Sequence, residues 1–213
     1  MLFEDTKYLD LKFPEPQYLG AKYIHRGWIS QFIPDDAATV LDAFSGSQSI
    51  SYMFKQLGRK VITNDFMSFN DIIGKALVEN PGYKLEKDDI DILFSDNSDP
   101  DNFSLMHELY TDLFFVSEDS MFADSFRSNV HKLNNKYKQS LALAVMCRSM
   151  TRKVTMGHFA HKQAMVYAAD PARVKRNRSL VRPLKELFLD LLPEYNAAVF
   201  DNTKDNVSYN ENI

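Results

Sequence analysis

Ala38-Thr39-Val40-Leu41-Asp42-Ala43-Phe44 is an apolar, β-branched run of strand length, and Ser45-Gly46-Ser47 follows it directly. Ile50, Met53, Phe54 and Leu57 then recur at helical spacing, and Gly58 supplies a stop. Lys60-Val61-Ile62-Thr63-Asn64-Asp65 predicts a second short strand, and Ser68 to Glu79 a second helix ended by Asn80-Pro81-Gly82. Strand, turn, helix, strand, helix is the opening of a doubly wound α/β sheet.

Upstream, Tyr8 to Pro16 reads as irregular and proline-punctuated, and Gly20 to Phe32 as a short amphipathic helix stopped by Pro34. From about Tyr83 to Leu192 no segment has strand character. Its periodic stretches, Phe103 to Phe115, Leu141 to Met150 and Leu180 to Leu192, predict helices. Strand character returns at Ala197-Ala198-Val199-Phe200, before the polar run Asp201 to Asn206. The expected organisation is an incomplete α/β core from residues 1–82 and 193–213, interrupted by a helical insertion over 83–192.

Composition is that of an ordinary folded chain: 45% of the 213 residues are hydrophobic and 25% charged, which argues against disorder. Cys147 is the single cysteine, so neither an intramolecular disulfide nor a cysteine-cluster zinc site can form. It sits in the apolar run Leu141 to Met146 and reads as a buried structural thiol rather than a reactive one. His158 and His161 have no Cys, Asp or Glu close in sequence, so no metal site is expected. No apolar run approaches the roughly 20 residues of a membrane span, and the N-terminus is acidic rather than basic; the expected location is the cytoplasm, away from membranes.

The net charge of −4 hides a strong asymmetry. Lys84 to Ser125 holds twelve acidic residues against two basic ones, whereas Arg148 to Lys185 holds ten basic residues against Asp170 alone. Such a contrast within one chain points to a face that binds a polyanion. Its candidates are Arg148, Arg152, Lys153, Arg173, Lys175, Arg176, Arg178 and Arg182, with a solvated helix face as the alternative for Arg173 to Arg182.

A tight turn at the carboxyl end of a strand lets backbone N–H groups approach a nucleoside ligand, although Ser45-Gly46-Ser47 is also what a plain strand-to-helix turn looks like. An acidic residue about 20 positions on, at the end of the next strand, is placed to accept from ribose hydroxyls; Asp65 fits, and a turn or cap aspartate is its other reading.

Tyr18-Leu19-Gly20-Ala21-Lys22, then Asp42-Ala43-Phe44-Ser45-Gly46, then Asn64-Asp65 together resemble the first three cofactor motifs of the Dam-like adenine-specific DNA methyltransferases. There an aromatic-X-Gly-X-Lys segment precedes an acidic-Pro-Phe-X-Gly-X-Gly loop and then an acidic residue on the second strand. Leu141 to Phe159, with Cys147-Arg148-Ser149, Arg152-Lys153 and Gly157-His158-Phe159, also resembles the helix and basic turn of that family's DNA-contacting insertion. The resemblance implies a partial Rossmann-like, S-adenosylmethionine-dependent methyltransferase fold with a helical DNA-binding insertion. It implies methyl transfer to the exocyclic amine of adenine in double-stranded DNA, in a restriction-modification or related system.

For the cofactor, the resemblance implies Tyr18, Lys22, Asp42, Phe44, Ser45, Gly46, Asp65, Phe66 and Asn202. Lys22 would lie near the methionine carboxylate, Phe44 and Gly46 would shape the pocket, and Asp65 would accept from the ribose. Asp201, Asn202 and Thr203 would follow the third strand beside the adenine ring. Outside the motifs, Lys22 reads first as a solvated helix lysine.

Two departures stand out. Ala43 takes the usual proline position, and Gln48 stands where a second glycine is common. Moreover, no Asp-Pro-Pro-Tyr or Asn-Pro-Pro occurs; Asp99-Pro100 and Asp170-Pro171 are the only Asp-Pro pairs. The sequence therefore predicts no catalytic residue in this chain, and an enzyme that is either truncated or completed by a second polypeptide. A non-catalytic DNA-binding module on the same scaffold is the alternative; a methyltransferase for RNA or a small molecule would leave the basic insertion without a role.

Overall fold

A computed structural model describes residues 10–97, 104–154, 159 and 164–212. Asp99-Pro100, Gly157-His158 and His161 lie outside them. The chain divides into two compact units: one joins the segment up to Lys84 to the segment from Glu194 onward, and the other is Leu85–Pro193. Among the described residues, no helix is long and apolar enough to cross a membrane.

The first unit is built on three parallel strands in the order β1 (Thr39–Asp42), β2 (Lys60–Asn64) and β3 (Val207–Tyr209). Thr39 pairs with Lys60 and Asp42 with Thr63, while Ile62 pairs with Val207 and Asn64 with Tyr209. Their carboxyl ends thus line up at Asp42, Asn64 and Tyr209. A mixed α/β fold with a small parallel sheet follows.

The expected single helix over Gly20 to Phe32 is instead broken into a 3-10 turn at Tyr23–His25, α1 (Arg26–Ile29) and a second 3-10 turn at Ser30–Phe32, with no residue fully buried. Without a buried face, little tertiary packing supports a continuous helix. The next helix, α2 (Ser49–Gln56), buries Tyr52, Met53 and Phe54. Tyr52 packs on Phe13 and Phe200, and Gly58 ends the helix region at φ +71°. From α3 (Ser68–Ile73) the chain runs into a π-helical turn over Gly74–Glu79. Gly74 is required there, because a Cβ would collide with Ser208 Oγ of β3 and lie 2.9 Å from Gln48 Nε2. Lys55 is buried and donates to the carbonyls of Leu77 (3.0 Å) and Asn80 (2.8 Å), tying α2 to the end of that turn.

The expected strand at Ala197 to Phe200 is not formed. Ala197 and Ala198 close α10 (Leu184–Ala198), which continues through Pro193. Leu191, Tyr195 and Ala198 are buried at helical spacing, and the Tyr52 hydroxyl donates to the Ala198 carbonyl at 2.7 Å, satisfying an end group of the helix. Val199 and Phe200 are buried beyond the helix rather than paired in the sheet. The strand that does form, Val-Ser-Tyr, is short and half polar. Glu79 accepts from the Ser208 N–H (2.9 Å) and Asp71 from its hydroxyl (2.9 Å), which seals this edge with side chains.

The second unit is helical: α4 (Lys87–Leu93), α5 (Leu105–Tyr110), α6 (Ser117–Val130), α7 (Lys136–Lys153), α8 (Ala164–Ala168), α9 (Pro171–Arg176) and most of α10. Caps explain its starts. Glu86 and Asp89 form a capping box on α4, Asn135 accepts from the N–H groups of Tyr137 and Lys138, and Asp170 caps α9 with Pro171 at its first position. Asp170-Pro171 is therefore a helix start. Phe94, Phe122, Phe126 and Phe188 interlock edge-on or tilted, and Phe114, Phe115, Val154 and Ala164 form a second cluster against which Phe159 packs.

Candidate functional site

The turn after β1 is shaped by positive φ at Gly46 (+49°) and Gln48 (+65°). The Tyr18 ring lies so close over Gly46 that an added Cβ would sit 3.2 Å from its hydroxyl and 3.3 Å from ring carbons. A glycine suits that position on both counts. Gln48 holds the same left-handed region with a side chain, and its fully buried amide is fixed by partners. Its Nε2 donates to Ser45 Oγ (2.8 Å) and the Asn70 carbonyl (3.1 Å), and its Oε1 accepts from the Thr63 hydroxyl (2.9 Å). Ser45 is tied to β2, both its N–H (3.0 Å) and its hydroxyl (2.9 Å) donating to the Asn64 carbonyl.

The turn borders a cavity of about 500 Å³. Its walls are Tyr18 to Lys22 and Ile29 on one side, and Asp42, Phe44 to Ser47, Ser49 and Ile50 on the other. The structure thus brings together five of the nine expected cofactor residues on the same cavity as Lys22. Lys22 is exposed and donates to the Gly20 carbonyl at 2.7 Å. Phe44 and Phe66 are 79% and 71% exposed, aromatic faces left available to a ligand.

Two carboxylates stand at the carboxyl ends of β1 and β2. Burial pushes the Asp42 carboxyl up; the Ser51 hydroxyl, donating at 2.6 Å, opposes this, and the charge of Asp65 adds to it. Burial also pushes Asp65 up, but donors from Asn70 (2.9 Å), the Met67 N–H (2.9 Å) and the Gly46 N–H (2.8 Å) outweigh it and hold the group below the usual range. Asp65 does not line the cavity itself; it braces the turn that does.

Asn202 is placed elsewhere. Because Ala197 to Phe200 is no strand, Asn202 falls at the amino end of the sheet. Its buried amide donates to the carbonyls of Lys55 (3.1 Å) and Arg59 (2.9 Å) and accepts from Asn206 (2.8 Å), a clamp between α2 and β2. The segment that reaches the carboxyl end is Asn210-Glu211, where Asn210 donates to the carbonyls of Asp65 and Phe66 at 2.8 Å each. Sequence reading also missed Gln48, Ser51, Thr63 and Asn70. Gln48 at a position that glycine favours was the one signal that could have revealed this buried network.

The expected polyanion-binding residues separate into two groups. Lys153 is buried, 2.5 Å from Asp119, and donates to the Arg182 carbonyl at 2.5 Å; Asp119 also accepts from the Leu184 N–H at 2.6 Å. Its ammonium joins α7 to the start of α10 and is not on the surface. Arg182 is engaged by Glu186 (3.2 Å) and by Asp190. Arg148 and Arg152 are half-buried on α7. Arg173 lies over the Tyr167 ring at 3.9 Å and 3.3 Å from Asp170, while Lys175, Arg176 and Arg178 are exposed around the end of α9. Burial lifts the Cys147 thiol to about 11, so it is unreactive at neutral pH. Among the described residues no group of three His, Cys, Asp or Glu is arranged to hold a metal ion.

A family model for D12 class N6 adenine-specific DNA methyltransferases matches residues 18–212, from the tyrosine over Gly46 to the segment after β3. The chain belongs to this family. Among curated proteins, Type II methyltransferase M2.HphI of Haemophilus parahaemolyticus is 35% identical over 208 residues, which cover 95% of this chain and 61% of the relative. The chain thus spans about three-fifths of the length of that relative. No solved structure matches it.

Proposed function

We propose that the chain is the cofactor- and DNA-binding part of an adenine-specific DNA methyltransferase, acting in the cytoplasm within a restriction-modification or related system. The cavity at the carboxyl end of the parallel sheet carries this reading. A space of about 500 Å³ is of the size that takes a nucleoside cofactor. Its lining suits S-adenosylmethionine, with an ammonium at Lys22 for a carboxylate, a carboxylate at Asp42 and an exposed aromatic ring at Phe44; outside the lining, Asp65 and the exposed Phe66 follow β2. When bound, the cofactor supplies an electrophilic methyl group. The chain's own residues then bind and orient: Gly46 and Tyr18 set the width of the cavity, and Asp65 braces the turn while keeping lone pairs for ribose hydroxyls.

On the DNA side, an adenine amine is reachable only when the base leaves the stack, so the duplex must be held firmly through its backbone. Arg173, Lys175, Arg176 and Arg178 present such a surface, with Arg148 and Arg152 as further contacts. We read the sheet as part of a Rossmann-like layer. The amine needs acceptors as it attacks, and none of the 213 residues forms the family's Asp-Pro-Pro-Tyr segment. That segment would come from outside these residues, either further along a longer polypeptide or on a second one. β1 suits its arrival, since Leu41 is 64% exposed and no strand pairs with its outer side among the described residues.

Tritiated methyl incorporation into double-stranded DNA tests this. The 213-residue polypeptide alone is expected to label DNA on the order of two to three decades or more below an intact enzyme, and a polypeptide with Asp-Pro-Pro-Tyr is expected to restore labelling. Full labelling by the chain alone refutes the division of labour. DNA binding in calorimetry without any cofactor binding favours a non-catalytic DNA-binding module instead.

A further inference from the structure

Asn70 is fully buried in the first turn of α3, and its side chain is used on one side only. Its Nδ2 donates to Asp65 Oδ1 at 2.9 Å, whereas no donor among the described residues reaches its Oδ1. A buried carbonyl without a partner is unfavourable, so something must fix the amide in this orientation. The Asp65 carboxylate does so: a flipped amide would set oxygen against oxygen. The backbone of the same residue is held as well, since Gln48 Nε2 donates to the Asn70 carbonyl at 3.1 Å. Gln48 in turn accepts from Thr63, which lies 3.3 Å from Ser51, whose hydroxyl donates to Asp42. A run of neutral polar groups, in contact between Ser51 and Thr63 and passing through the Asn70 backbone carbonyl, therefore lies between the two carboxylates behind the turn. It runs Asp42, Ser51, Thr63, Gln48, Asn70, Asp65, and it passes through the position where the family commonly has a glycine.

We propose that Asn70, anchored by Gln48, is a positioning residue that holds the Asp65 carboxylate aimed for S-adenosylmethionine. This rests on the reading of Asp65 as the acceptor of ribose hydroxyls. With Oδ1 taken by Asn70 and the Met67 N–H, and Oδ2 by the Gly46 N–H, the carboxylate cannot rotate without breaking three hydrogen bonds. Its remaining lone pairs keep a fixed direction. Asp42 is the charged group that faces it from the end of β1, and the neutral Asn70 amide faces it from α3; Asn210, after β3, donates to the Asp65 backbone carbonyl. Burial favours protonation of Asp65, and the Asn70 amide opposes it.

The test uses the full chain with Asn70→Ala, the isosteric Asn70→Asp, and Asp65→Ala, each checked by thermal unfolding. The Asp65 carboxyl is titrated by carbon NMR without cofactor, and S-adenosylmethionine affinity is measured by calorimetry across pH. Asn70→Ala is expected to move the Asp65 titration to higher pH and to lower affinity about five- to tenfold at neutral pH, with the acid loss of binding beginning at higher pH than in the wild type. Asn70→Asp is expected to bind poorly at neutral pH and to recover as the pH falls, when one proton shared by the two carboxyls restores the hydrogen bond. A purely structural asparagine would leave the titration in place and lower affinity equally at every pH, and that result overturns the proposal. A shifted titration with unaltered affinity in Asp65→Ala overturns the ribose reading itself, while Asn70's hold on the carboxylate stands.

Discussion

Lys153 is the residue at which a sequence of basic charges and a folded structure give opposite predictions. It belongs to the basic run that suggests DNA contact, yet its side chain is 5% exposed and lies 2.5 Å from Asp119, which is equally buried. Lys153→Met keeps the length of the stem and removes only the charge. The Asp119 carboxylate then retains the Leu184 N–H at 2.6 Å but loses its cation, and the Arg182 carbonyl loses its donor. Removing one partner of a buried pair costs about 3–5 kcal/mol, because the other charge stays desolvated. The double variant Asp119→Asn with Lys153→Met removes both charges and is expected to recover much of that loss, as the buried ion pair itself stabilises little. The assay is urea unfolding followed by far-UV circular dichroism, with the helical unit Leu85–Pro193 dominating the signal. DNA binding of the single variant, measured where it is still folded, should keep the wild-type dependence on salt. Unfolding at the wild-type midpoint, together with a salt slope reduced by about one unit, would show that Lys153 contacts phosphate and that the buried pair is unimportant.

Three further outcomes are expected. Gly46→Val meets the Tyr18 ring and a φ of +49°, so S-adenosylmethionine affinity by calorimetry should fall more than about tenfold, with a stability loss of about 1–3 kcal/mol; undiminished affinity would remove the turn from the pocket. Neutralising Arg173, Lys175, Arg176 and Arg178 together should weaken binding to all duplexes alike and flatten the plot of log affinity against log salt by about one unit per lost phosphate contact. An unchanged slope in a folded variant would make that cluster a solvated face. Burial lowers Lys55 to about 7, below its value in an unfolded chain, so the unfolded state binds more protons between about pH 7 and 10. Stability should therefore rise with pH over that window, and Lys55→Met should abolish the rise; the same rise in the variant would assign it to another group.

The parts of this molecule legible in its sequence are those where side-chain periodicity coincides with burial. β2 alternates half-buried and buried positions from Lys60 to Thr63, and α2 carries Tyr52, Met53 and Phe54 into the core, so both stood out. The third strand did not. Val207-Ser208-Tyr209 has a single aliphatic residue, and what holds it is non-local: the Glu79 and Asp71 carboxylates and the close approach permitted by Gly74. Ala197 to Phe200 misled for the converse reason, since Ala198, Val199 and Phe200 are buried at and just beyond the end of a helix that continues past Pro193, where a proline normally suggests a stop.

At the cavity, Tyr18, Lys22, Asp42, Phe44, Ser45 and Gly46 converge as adjacent motif residues, because each precedes or follows a strand end whose position the sheet fixes. Charge was less informative than motif. A lysine written among arginines carries no mark of whether an aspartate 34 positions earlier folds against it, and Asp119 does so for Lys153. The amides carry even less. Asn70 and Asn202 are alike in sequence, yet one braces a carboxylate at the carboxyl end of the sheet and the other clamps backbone carbonyls at its amino end. Neutral hydrogen-bonding side chains have no periodicity and no charge to read, so their roles are decided by geometry alone. In this chain such side chains, with the Asn70 backbone carbonyl, fill the space between Asp42 and Asp65.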